Sequence, residues 1–370
     1  PAEEPSPPSW GRDGEGGDGP SRDSDPAEYR PLSRAAGEGE GKYRRPLAIA
    51  GLALASLAFF AVAGLGGVLH DMTAKLPAVP RPAAVPTSTI VVDRDGQLLR
   101  PYAIADGRWR LPIGVAEVDP TFVAMLKGYE DRRFDSHDGV DWRALVRAAG
   151  QMAETGHIVS GGSTLTMQVA RIIDGVPTQG FAGKLRQIVF ARAIEQQLGK
   201  DDILSLYLQL EPYGGNLEGV RAASLAYFGK EPRRLTIAES ALLVALPQAP
   251  EARRPDRDPK AALAARDRVL DRLVAAGVLD AETAAAARTE RIPQARRVFP
   301  MLAAHLGDVA RKNRPADPVL KLTIDGRLQG KLEALAAARA TAIGPQASVA
   351  IVVADHLTGD ILASAGSPDF

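Results

Sequence analysis

The run Glu130-Asp131-Arg132-Arg133-Phe134-Asp135-Ser136-His137-Asp138-Gly139 sets adjacent carboxylates ahead of two Arg, a Phe and a His. Most such charged runs are solvated faces, because carboxylates are costly to bury. Two details point instead to chemistry. Phe134 follows Glu130 by one helical turn, where its ring would wall the carboxylate with apolar surface and suit it to general acid–base work. His137 and Gly139 fit a structured turn better than a frayed one. A second constellation is Ser160-Gly161-Gly162-Ser163-Thr164-Leu165-Thr166-Met167-Gln168-Val169-Ala170-Arg171. Ser163 or Thr164 caps a helix whose preceding glycines leave its N-terminal amides open, an arrangement that attracts phosphate. Leu165, Val169, Ile172 and Ile173 form an apolar stripe. Thr164, Gln168 and Arg171 form a polar one at i, i+4 and i+7, able to hold a pyrophosphate or sugar hydroxyls. From spacing alone, a plain capped amphipathic helix explains this second block equally well. The third block, Lys184-Leu185-Arg186-Gln187 through Glu195 and on to Tyr207 and Leu208, reads as an amphipathic helical hairpin, and core packing accounts for most of it.

The elements that must position these residues are mainly helical. Asp119-Pro120 is a cap with Pro at the first helical position, leading into Phe122, Val123 and Leu126. Asp141 caps a helix that ends before Gly156. Further helices are expected at 181–198, around Ile203–Leu208, at 237–246, 261–275 and 281–288, with Gly277 separating the last two. Ahead of them, 90–99 reads as a strand, an Asp-Gly turn and a second strand. After them, 319–324 is strand-like, 328–340 helical, and 348–353 with 360–364 a hairpin.

The N-terminal portion has a different texture. Residues 1 to about 41 are rich in Gly, Pro, Ser, Asp and Glu and too poor in aliphatic residues to offset their conformational entropy, so disorder is expected there. Lys42, Arg44 and Arg45 then precede an uncharged run at 47–69. At about 1.5 Å per residue this run spans a ~30 Å hydrocarbon core. A core helix would alternate with polar residues, and a signal peptide would be shorter and would not come after so long a tail. The basic flank before the run, and its absence after, place the N-terminus in the cytoplasm and everything beyond about Asp71 outside it. Pro77, Pro80, Pro82 and Pro86 make 70–88 a stiff, extended spacer. The expected organisation is a disordered cytoplasmic tail at 1–46, an anchor at 47–69, the spacer at 70–88, a helical domain at 89–290, a linker at 291–318 and the start of a second domain at 319–370. Lys plus Arg and Asp plus Glu both number 45, which argues against a nucleic-acid partner. Cys is absent, which excludes disulfides, Cys-ligated zinc and a thiol nucleophile. Because Phe370 breaks off inside a β-rich segment, a longer parent chain is expected.

Taken together and in order, these blocks resemble the peptidoglycan glycosyltransferases of glycosyltransferase family 51, found in class A penicillin-binding proteins and monofunctional transglycosylases. The resemblance covers about 89–255. The family pattern Glu-Asp-x-x-Phe-x-x-His-x-Gly is met at Glu130, Asp131, Phe134, His137 and Gly139. Gly-Gly-Ser-Thr-(Ile/Leu)-Thr-x-Gln is met from Gly161 to Gln168, with Arg171 at the family's basic position, and Glu239 to Pro250 looks like the closing motif. The tail from Leu320 is similar to the opening of the penicillin-binding transpeptidase domain, whose Ser-x-x-Lys and Lys-Thr-Gly motifs lie nowhere in these residues.

The resemblance implies a mainly α, lysozyme-like glycosyltransferase domain after a single N-terminal transmembrane helix, followed by an incomplete α/β start of a transpeptidase domain. It implies polymerisation of lipid II with release of undecaprenyl pyrophosphate, at the bacterial inner membrane with the catalytic domain periplasmic. Glu130 would be the general base. Asp131, Phe134 and His137 would shape the first motif, and Ser163, Thr164, Gln168, Arg171, Lys184 and Gln187 would contact substrate. A Mg²⁺ or Mn²⁺ ion would accompany the diphosphate. The implied partners are lipid II, the growing glycan strand, the bilayer and other cell-wall synthesis proteins, with no nucleic acid. One departure stands out. Most members place a second Glu where this chain has Gln187, three residues after Lys184, and Gln cannot titrate. Glu195 looks like a structural family position and not a replacement. The alternatives are a lysozyme-like hydrolase or lytic transglycosylase, since one catalytic Glu in an α domain serves those too, and a weakly active scaffold in a wall-synthesis complex.

Overall fold

A computed structural model describes residues 41–155, 162–176 and 180–366. Residues 1–40 of the expected tail at 1–46, the stretch Gly156–Gly161 that includes the first glycine of the Gly-Gly-Ser-Thr motif, residues 177–179 and the last four residues lie outside the described residues.

Helix α1 (Gly41–Ala74) begins within the segment assigned to the tail and runs past the expected end of the anchor. Its part Leu54–Ala74 is long and apolar enough to cross a membrane, with a mean hydropathy of 1.5. Leu57, Phe60 and Val62 on it are exposed.

From Gly66 onward the chain forms one compact unit. Its first elements are β1 (Ile90–Val92), β2 (Leu98–Pro101) and β3 (Trp109–Arg110), then α2 (Pro120–Glu130), α3 (Trp142–Thr155), α4 (Leu165–Asp174), α5 (Gly180–Glu195) and α6 (Lys200–Leu210). After β4 (Leu217–Glu218) come α7 (Val220–Phe228), α8 (Ile237–Ala245), α9 (Pro259–Ala275), α10 (Ala281–Thr289), α11 (Ala304–Asn313), β5 (Val319–Lys321), α12 (Gly326–Ile343), β6 (Ile351–Ala354) and β7 (Ile361–Ala365). Local chemistry sets many of the boundaries. Asp119 accepts from Thr121 N to cap α2, Asp141 from Ala144 N for α3, Asp258 from Ala261 N for α9 and Asp280 from Thr283 N for α10. Thr236 and Glu239 form a capping box on α8.

The main core gathers the apolar faces of α2, α4, α5, α6, α7, α8 and α9, with Phe122, Met125, Leu165, Val169, Ile203, Leu206, Val220, Leu243 and Val269 fully buried. A helical domain of this kind rests on burying one stripe of each helix. The spacer does not stay extended throughout. Pro82–Ala84 is a 3-10 turn, Val85 is buried in the main core, and Ser88 exchanges hydrogen bonds with the backbone of Arg110.

The expected hairpin at 90–99 forms, with Gly96 at positive φ in the turn and Asp93 Oδ1 accepting from Asp95 N and Gln97 N. It does not stand alone. β1 pairs in parallel with β5, Ile90 opposite Val319 and Val92 opposite Lys321, so the sheet order is β2-β1-β5. A second core, of Val91, Leu99, Tyr102, Ala303, Ala310, Leu320 and Ile324, lies against that sheet. The segment assigned to a second domain therefore shares a sheet with the hairpin that opens the first, and the expected linker adds Ala303 and Ala310 to the core against it. Helix α11, within the expected linker, carries no sequence signal: Ala303 precedes it at φ 50 and makes no side-chain cap.

Candidate functional site

Glu130 is the last residue of α2. Asp131 leaves helical geometry, and the chain turns through a 3-10 segment at Phe134–Ser136. Phe134 is thus not one turn further along the same helix. It is buried with the ammonium of Lys200 4.6 Å from its ring centroid and that of Lys127 at 5.2 Å, so it anchors the turn. What holds Glu130 is a pair of carboxamides. Its Oε2 accepts from Gln168 Nε2 on α4 at 2.9 Å, and its Oε1 accepts from Gln248 Nε2, just after α8, also at 2.9 Å. Gln248 is itself fixed through its oxygen by Arg253 Nη1 at 3.0 Å. Two neutral donors orient a carboxylate without an ion pair, and each of its oxygens keeps a second lone pair to accept a proton. Glu130 is half-buried.

Asp131 points the other way. It is buried, accepts from the backbone N of Leu165 at 3.0 Å, and receives His137 Nε2 at 2.9 Å. The start of α4 is therefore not open to a phosphate: the protein's own carboxylate occupies it. Thr164 is not part of a polar stripe facing substrate either. As the N-cap it accepts from Met167 N, donates to Gly139 O at 2.6 Å and is buried. A capping side chain folds back over its own first turn, so periodicity along the helix misplaces it. Gly139 has φ +84, and a Cβ there would sit 2.7 Å from Ala191 O, so only glycine fits. Glu195 accepts from Thr166 Oγ1 and Lys200 Nζ, and Lys200 also donates to His137 O.

The remaining expected residues gather where α5 meets α4. Lys184 Nζ donates to Ser163 Oγ at 2.6 Å and to Gln187 Oε1 at 3.0 Å. Gln187 is buried and donates to Met167 O; it ties α5 to α4, and its oxygen is already used by Lys184. Burial, and then the nearby charge of Arg171, hold the Lys184 ammonium below its ordinary pKa, as expected of two cations gathered for an anionic ligand. Arg171 is partly exposed and reaches back to Glu211.

Sequence reasoning missed Gln248, Arg253 and Glu211. Gln248 lies in the closing motif, but nothing local announces a partner on α2. Glu211 sits in the turn after α6, fully buried, with burial pushing its carboxyl up to about 8 against the pull of Arg171 and with Glu130 adding to the rise. The folded value lies above the unfolded one, so the proton is bound more tightly in the fold. The associated stability is complete at acid pH and is lost as pH rises through about 8. Glu211→Gln is accordingly expected to melt higher than the unsubstituted chain above neutral pH, with the two converging in acid; parallel melting curves across the whole range would contradict this.

No group of three or more His, Cys, Asp or Glu among the described residues could hold a metal ion. The Gln187 oxygen already accepts from Lys184. Among the described residues, then, no such donor set is assembled for the implied Mg²⁺ or Mn²⁺.

A family model described as Transglycosylase matches residues 95–274. The chain is 42% identical over 280 residues to penicillin-binding protein 1C of Escherichia coli (strain K12), a match covering 76% of this chain and 36% of that protein. It is 37% identical over 202 residues to penicillin-binding protein 1A of Pseudomonas aeruginosa, covering 55% of this chain and 24% of the relative. Penicillin-binding protein 1A of Escherichia coli is 35% identical over 202 residues, covering 55% and 23%. Residues 95–274 thus match the transglycosylase family, and the relatives that share this stretch are penicillin-binding proteins. Within that family the chain resembles penicillin-binding protein 1C. It spans about a third of that relative's length and about a quarter of the 1A proteins'.

Proposed function

We propose that the chain is a peptidoglycan glycosyltransferase that polymerises lipid II into glycan strands during cell-wall synthesis. The observation that carries this reading is the Glu130 carboxylate, clamped by Gln168 and Gln248, with Arg171 three residues beyond Gln168 on α4 and Lys184 of α5 within reach of the Arg171 charge. A base set beside cationic groups suits a sugar hydroxyl attacking a carbon that bears a diphosphate. Glu130 takes the proton from the acceptor's 4-hydroxyl. The oxygen attacks the anomeric carbon of the lipid-linked strand end from the face opposite the diphosphate. The new glycosidic bond forms with inversion as the carbon–oxygen bond to undecaprenyl pyrophosphate breaks and its electron pair leaves with the diphosphate. Arg171 and Lys184 stabilise that growing negative charge. Gln168, Ser163 and Gln187 keep these groups in place, while Asp131, His137, Phe134 and Thr164 build the frame.

We read the domain as lysozyme-like, and 319–370 as the opening of a penicillin-binding transpeptidase domain, which the order β5, α12, β6, β7 supports. We place α1 in the inner membrane with its basic end, Lys42, Arg44 and Arg45, in the cytoplasm and the catalytic domain on the periplasmic side. Exposed Trp142 and Val146 on α3 and Phe181 on α5 support a domain working at a lipid surface. A divalent cation stays a proposal tied to the substrate, whose diphosphate oxygens would supply most of its ligands.

The test is polymerisation of labelled lipid II by the full chain and by its Glu130→Gln variant. Polymer from the first and none from the second is the expected result. Soluble muropeptides released from sacculi, with no polymer from lipid II, would replace this reading with a lytic one.

A further inference from the structure

Glu211 lies outside the motifs that carry the family resemblance, yet it is the most deeply buried acid beside the reaction. It sits at the C-cap of α6 with no exposed surface. Its Oε1 accepts from Arg171 Nη2 at 3.3 Å, and its Oε2 has no partner. The hydroxyls of Tyr207 and Tyr213 nearby are also buried and without partners. The charged and titratable groups facing Glu211 are Arg171 from α4, Glu130 from α2, Tyr207 from α6 itself and Tyr213 from the turn after α6. Among the described residues Arg171 is the cation that acts on it. Burying a carboxyl beside another acid with a single partner is a poor way to stabilise a fold. Arg171 in turn lies three residues after Gln168, which holds Glu130. The guanidinium therefore bridges a fully buried acid and the open side of the site, where 44% of its side chain is exposed.

We propose that Glu211 is a positioning residue for glycosyl transfer: from inside the fold it grips Arg171 through Nη2 and aims that guanidinium at the diphosphate of the lipid-linked donor, its proton deciding how much of the Arg171 charge faces the substrate. This rests on the glycosyltransferase reading. While Glu211 is neutral it accepts one hydrogen bond and leaves the Arg171 charge uncompensated for the diphosphate. Once ionised it neutralises Arg171 and repels the incoming anion. The burial that raises its pKa to about 8 keeps it neutral under ordinary conditions. With Gln187 unable to titrate, Glu211 returns a second ionisable carboxyl to the site from α6 instead of α5.

The test uses the full chain in detergent micelles and measures both equilibrium binding of lipid II and the KM and kcat of polymerisation, from neutral to alkaline pH. Glu211→Leu is expected to raise the KM and the dissociation constant about tenfold at neutral pH, with a smaller change in kcat. Glu211→Gln restores an acceptor oxygen for Arg171, so it should recover most of that loss and abolish the alkaline rise in KM shown by the unsubstituted chain. In an Arg171→Ala background, Glu211→Leu should add no further loss of binding. An unchanged KM in Glu211→Leu, an alkaline rise that persists in Glu211→Gln, or full additivity with Arg171→Ala would each overturn the proposal. Glu211→Gln is isosteric and keeps the test decisive should Glu211→Leu fail to fold. If the unsubstituted chain binds lipid II but makes no polymer, the glycosyltransferase reading falls while the binding arm still decides the role of Glu211.

Discussion

Glu130→Gln should lower the polymerisation rate by about 10²- to 10⁴-fold, the range a positioned general base contributes. The variant keeps the size and the fold around it. Its carboxamide can still accept from either Gln168 or Gln248, but its nitrogen must now face the other, so one of the two clamps is lost. The loss should fall on kcat with lipid II binding nearly intact, because the proposed diphosphate contacts of Arg171 and Lys184 would be unaffected. Turnover of lipid II by wild type and variant, each scaled by the fraction of folded enzyme, is the measurement. Equal rates would remove Glu130 as the base.

The largest effect on the fold should come from Asp131→Ala. That one side chain satisfies the first amide of α4 and His137 Nε2, both in buried surroundings. Truncating it strands two donors and opens a void at the junction of α2 and α4, for a cost of about 3 kcal/mol. For a domain of this size the melting temperature should fall by roughly 6–12 °C. Asp131→Asn, which retains an acceptor oxygen, should lose about half as much. A melting temperature unchanged in Asp131→Ala would mean that the turn around His137 is held by Phe134, Lys200 and Gly139 alone.

Much of the site is legible in the sequence, and the limits have physical causes. Glu130 and Gln168 can be paired because each lies in a compact motif with its own capping and glycine signals. Thr164 is misplaced by periodicity because helical spacing describes side chains that radiate from a helix, whereas a cap curls over the first turn. The vacancy expected at the start of α4 is filled by Asp131, a residue 34 positions earlier, and no local pattern reports such a contact. Gln248 reaches Glu130 across 118 positions, and Glu211 meets Arg171 across 40. These pairings depend on how the helices cross. Gln187 is recognisable in the sequence as a departure from the usual acid. Its task, joining Lys184 to the backbone of Met167, becomes visible only with α4 and α5 side by side. The helices with strong caps are readable to within a few residues, while α11, with none, is not.

The parallel pairing of β1 with β5 bears on how the protein can be divided. A shortened chain ending at residue 290 would keep every group placed around Glu130 but strip β1 of one neighbour. The amides and carbonyls of Ile90–Val92 that β5 now satisfies would become a bare strand edge, the kind of surface on which separate molecules stick to one another. Val91 and Leu99 would lose their cover as well. Cutting a peptide bond between α10 and β5, with both fragments retained, should in contrast leave the pieces joined.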